Sequence, residues 1–106
     1  MPKLKLVAEP TFKAMVPFGV HGGEPVEVEL TFRHRTKTGL DEFVKSRADK
    51  PDGEAFMEFV CGWELDDAFT RENVDLLLEN RMGVGIAAYE VYMRELIQAR
   101  LGNFVR

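Results

Sequence analysis

Apolar and polar residues alternate twice in the first third of the chain. In Thr11–Phe18, Phe12, Ala14, Val16 and Phe18 interleave with Thr11, Lys13, Met15 and Pro17. In Val26–Arg33, Val26, Val28, Leu30 and Phe32 interleave with Glu27, Glu29, Thr31 and Arg33. A period of two gives a strand one apolar face and one wet face. The glycine-rich stretch Gly19–Pro25 separates the runs, so together they predict an antiparallel hairpin. Lys3–Val7 is a candidate for a further short strand.

Beyond the hairpin the period changes to that of a helix. Thr38 and Asp41 have capping-box spacing, and Leu40, Phe43, Val44 and Arg47 follow on one face. Pro51-Asp52-Gly53 ends that helix and opens another, whose face is Phe56, Phe59, Val60 and Trp63. Thr70 is an expected N-cap, with Val74, Leu77, Leu78 and Arg81 in a stripe behind it. Leu76 points away from that stripe. Met82-Gly83 reads as a stop. A long helix is then expected over about 84–101. At ~100° per residue, Ile86, Ala88, Tyr89, Tyr92, Met93, Leu96, Ile97 and Ala99 fill one arc of about 180°. Arg100 also falls in this arc and is expected to be paired and partly buried.

These elements predict an α+β fold: an N-terminal antiparallel β-hairpin or small sheet packed against a C-terminal layer of about four helices. The length of 106 residues fits one domain, 1–106, with a hairpin region over 1–35 and a helical region over 38–103. With 45% hydrophobic residues a modest core is within reach.

Charge changes the picture in one respect. The net charge of −4 disfavours nucleic acid and anionic membranes as partners. It is unevenly spread: residues 1–50 carry 9 basic and 7 acidic side chains, whereas 51–106 carry 5 and 11. Such a two-signed surface suits head-to-tail self-association or a charged partner. From Glu64 to Glu79 there are six acids and one base, Arg71. The single cysteine suits a reducing compartment. MPKLKLVAEP has no long apolar core, so no signal peptide is expected, and no run is long enough for a membrane span.

Candidate chemistry is sparse. Gly83-Val84-Gly85-Ile86-Ala87-Ala88 matches G-x-G-x-x-A, but a helical pattern precedes it where a dinucleotide fold needs a strand. The glycines are better read as a turn between helices. His21, His34 and Cys61 lack metal-ligand spacing, and Cys61 reads as a small buried hydrophobe on an aromatic-rich helix. Glu64, Asp66 and Asp67 cluster before a helix, where the dipole gathers acids without catalysis. Arg33 and Arg35 fall on the outer strand face and Phe32 on the core face, which separates charge from any base-stacking platform. Neither a catalytic site, a metal nor a cofactor is expected.

Two stretches, VEVELTFRHRTKTGLDEFV (26–44) and GWELDDAFTRENVDLLLENRMGVGIAAYEVYMRELIQARLGN (62–103), resemble the tail assembly chaperones of long-tailed bacteriophages and prophages. The positions that align are Trp63, Phe69, Thr70, Leu77, Tyr89 and Arg100. The turn Arg81-Met82-Gly83 departs from the proline-containing turn of that pattern. The resemblance implies a non-enzymatic protein of the host cytoplasm that binds the helical tape-measure protein before the tail tube polymerises around it. Tail tube subunits are a further expected contact, and the broad apolar face makes further copies of the chain another. Many such proteins are also made as a longer, frameshifted product. The alternative is another small phage or bacterial adaptor, such as a tail-completion subunit or a regulatory protein-binding module. Leu76, Asp66, Asp67, Tyr89, Tyr92, Met93 and Leu96 are the partner-binding candidates. Trp63, Phe69, Thr70 and Arg100 are expected as structural anchors.

Overall fold

The alternating runs form strands β1 (Thr11–Phe18) and β2 (Val26–Arg33), paired antiparallel from Thr11–Arg33 to Phe18–Val26. The computed structural model describes residues 6–101, with side chains to Ile97. Gly22, in the connecting loop, has φ +70°, a conformation that glycine adopts without strain. Of the candidate strand at 3–7, only Leu6 and Val7 are described, and they are not in a strand.

Helix α1 (Lys37–Arg47) is capped by Thr36, whose Oγ1 accepts from the Gly39 amide at 3.1 Å. The expected cap, Thr38, lies inside the first turn. Helix α2 (Asp52–Phe59) starts after Pro51 with Asp52 and Glu54 in its first turn, where the helix dipole favours acids. The expected continuation through Val60 and Trp63 does not occur. Val60–Trp63 is strand β3, which pairs antiparallel with β2 and makes a three-stranded sheet of order β1-β2-β3. A register shift between Thr31 and Phe32 accommodates it. The described part of the region 38–103 is therefore helical with one strand returned to the sheet, and Cys61 lies half-buried on that strand rather than on a helix.

Helices α3 (Arg71–Asn80) and α4 (Gly83–Leu101) complete the described residues. The core joins Val16, Phe18, Val28, Leu30, Phe32 and Val60 of the sheet to Phe43, Phe56, Phe59, Val74, Val84, Ala88, Val91 and Tyr92 of the helices. The α+β layering thus follows the expected plan. The orientation of α4 does not. Its buried residues are Val84, Ala88, Val91 and Tyr92, which centre roughly 100° away from the expected arc at 100° per residue. Ile86, inside that arc, is 65% exposed. The cause is that α4 carries valines on its second side. They join Ala88 and Tyr92 in the core, and the Tyr92 ring stacks on Phe12 and Phe32 of the sheet.

Candidate protein-interaction surface

The segment between β3 and α3 is built around Trp63. Its Nε1–H donates to the Asp67 carbonyl at 2.7 Å, and its ring meets Phe69 edge-on at 5.0 Å. Asn73 donates through Nδ2 to the Ala68 carbonyl at 2.8 Å. Thr70 caps α3 by accepting from the Asn73 amide at 3.1 Å, and Val74 sits buried one turn on. These bonds turn 64–70 back upon itself and leave Glu64, Asp66 and Asp67 exposed. Thr70→Ala should lower the unfolding free energy by about 1 kcal/mol, read by urea denaturation. An unchanged midpoint would mean that the cap is replaced by water at no cost.

Trp63, Leu65, Asp67, Asn73, Leu76 and Leu77 line a groove of about 210 Å³ that runs towards Asn80 and Arg81. Leu76 is 61% exposed and forms its rim. Fold and surface together define a small α+β protein with a largely apolar groove that Asp67 and Arg81 also line. The phage tail assembly chaperone family matches residues 1–103, and the chain belongs to that family. No curated protein and no solved structure matches the chain.

The groove gathers the partner candidates Leu76 and Asp67, the anchor Trp63 and the aligned Leu77. Asp66 is exposed on the same segment. Leu65 and Asn73 were missed: Leu65 is one apolar residue among acids, and Asn73 carries no periodic signal. The α4 candidates divide. Met93 and Leu96 are half-buried and line a separate cleft against α1, with Leu40, Val44 and Ile97. Tyr89 is half-buried, with the Arg47 guanidinium over its ring at 4.0 Å. Tyr92 is a core residue, not a surface one. It is fully buried, and its hydroxyl donates to the Arg33 carbonyl at 2.8 Å and accepts from Arg35 at 3.0 Å. Arg35 also lies over the Phe43 ring at 4.4 Å, so it braces the core edge rather than standing free on the sheet. The Arg100 side chain lies outside the described residues.

The other candidate chemistry is dispersed. His21 is exposed in the hairpin loop, and no hydrogen bond joins it, His34 and Cys61 among the described residues. Among those residues no group of three or more His, Cys, Asp or Glu could hold a metal ion, and no helix is long and apolar enough to cross a membrane. Gly83 and Gly85 open α4 directly after α3, so a helix, not a strand, precedes the G-x-G-x-x-A run.

Proposed function

We propose that this chain is a non-catalytic chaperone that binds the tape-measure protein in the host cytoplasm and so helps to nucleate the tail tube. A helical, largely apolar segment of that client lies along the α3 groove, with Leu76 as anchor and the acids of 64–79 beside it. The observation that carries the reading is the meeting of exposed Leu76 with Trp63, Leu65 and Leu77 in one groove, rimmed by Asp67. Membership of a tail assembly chaperone family supports a protein client. The rim would select basic flanks on the client and keep free chains apart.

The test measures binding of overlapping tape-measure fragments to wild type, Leu76→Asp and the double variant Asp66→Asn/Asp67→Asn. Leu76→Asp should leave stability within about 0.5 kcal/mol, as an exposed substitution does. It should weaken binding at least about tenfold, mainly through faster dissociation. The double variant should flatten the salt dependence of association. Full binding by both folded variants would move the site elsewhere, first to the outer sheet face around Arg33.

A further inference from the structure

The cleft between α1 and α4 holds about 610 Å³, and its two long walls are helices. Leu40 and Val44 lie one turn apart on α1, and Met93 and Ile97 one turn apart on α4, with Leu96 between them. None of the five is fully covered: Val44 is 40% exposed and the other four are half-buried. Phe43 is the one residue of α1 that the core buries. The helix is thus pinned near its middle, and the flank it turns towards α4 stays apolar and open.

The charge along this cleft is positive. Arg35, Lys37 and Lys45 line it against a single acid, Asp41. Arg35 is committed to the Tyr92 hydroxyl and the Phe43 ring. Lys37 and Lys45 are exposed, and no ion pair joins either of them to Asp41 or to any other described residue. Beside the α3 groove the balance is reversed, with six acids and one base from Glu64 to Glu79. A basic rim over an apolar floor complements an acidic amphipathic helix.

We propose that the α1–α4 cleft binds a second, acidic segment of the client, distinct from the basic-flanked segment at α3. Apolar residues three or four positions apart on that segment rest on Leu40, Val44, Met93 and Ile97. Asp or Glu residues beside them face Lys37 and Lys45. A second copy of the chain fits the cleft less well. The acidic helix it offers, α3, exposes one large apolar residue, Leu76, because Val74 is buried and Leu77 and Leu78 are half-buried. A single apolar side chain leaves most of a floor that runs a full turn along both walls uncovered. The site rests on the tape-measure reading above and adds a charge pattern to it: basic flanks at α3, acidic flanks at α1.

The experiment uses the full chain and the same overlapping tape-measure fragments, grouped by net charge. Acidic amphipathic fragments should shift the Val44 and Met93 methyl resonances of the wild type and leave those of Leu76 in place. Lys37→Glu/Lys45→Glu should weaken these fragments about tenfold or more and leave the basic ones unchanged. Remaking an acidic fragment with Lys at its Asp and Glu positions should restore its binding to the swapped protein, which damage to the fold would not allow. The methyl resonances read the wild-type chain, so they decide the matter even if the double variant fails to fold. Acidic fragments that bind both proteins equally, or that leave Val44 and Met93 unmoved, would overturn the site. So would binding by basic fragments alone, and in each case sensitivity of the basic fragments to Leu76→Asp keeps the α3 reading intact. Binding of no fragment would overturn both. A change in self-association alone, seen by sedimentation of the double variant without client, would assign the cleft to a second copy and overturn the proposal as well. Shifts of the same methyls on removing residues 102–106, again without client, would assign it to those residues with the same result.

Discussion

Phe32→Ala will lower the unfolding free energy by about 3–5 kcal/mol, the range for deleting a large aromatic from a packed core. Phe32 has no exposure, and its ring stacks on three others: Phe12 at 5.4 Å, Tyr92 at 5.5 Å and Phe59 at 6.3 Å between centroids. Those rings come from β1, α4 and α2, so one side chain ties three elements to the middle strand. The hole cannot close by a local shift, because each wall is anchored by its own element. Equilibrium urea unfolding measures the loss. A cost below about 1 kcal/mol would mean that the stack repacks and that Phe32 is not its centre.

Tyr92→Phe should cost about 1–3 kcal/mol although it removes one oxygen. That oxygen serves two partners, and the Arg33 carbonyl and the Arg35 guanidinium would both lose it. The wild type should also show an alkaline signature. Burial raises the Tyr92 phenol above its ordinary value of 10.0, against the opposing pull of the Arg35 hydrogen bond and charge. Above pH 10 the unfolded chain releases this proton while the folded chain keeps it. The contribution is complete below pH 10 and is lost as pH climbs towards the folded value. Tyr92→Phe lacks this component, so its stability gap to wild type should narrow above pH 10. A gap that stays constant there would show that Tyr92 titrates alike in both states.

The two strands of the hairpin were legible residue by residue because a half-buried strand writes its burial into every second position. Strand β3 was not. Phe56, Phe59, Val60 and Trp63 follow helical spacing, so a four-residue strand directly after a helix looks like one more turn. What makes it a strand is the free edge of β2, and a partner's edge leaves no mark in the local pattern. The length of α4 was legible, but its rotation was not: with apolar residues on almost every side, periodicity cannot say which flank meets the sheet. Of the candidate site, Leu76 stood out because it broke its helix's stripe, and its exposure follows. Arg47 gave no such signal. In sequence it closes an apolar stripe like any terminal helix arginine; only the packing of α4 brings Tyr89 beneath it and seals its Nε.

The hydroxyl of Tyr92 reaches the carbonyl that ends β2, 59 positions earlier in the chain. Translation runs at about 5–20 residues per second, so these partners leave the ribosome about 3–12 s apart. The hairpin is complete once Arg33 has emerged, and Phe56 and Phe59 supply the first cover for its apolar face. Val84, Ala88, Val91 and Tyr92 arrive last, and α4 is the helix that lies along β1. For those seconds β1 is an unguarded strand on a nascent chain. The order of synthesis thus sets an interval in which a protein that escorts others is itself without α4.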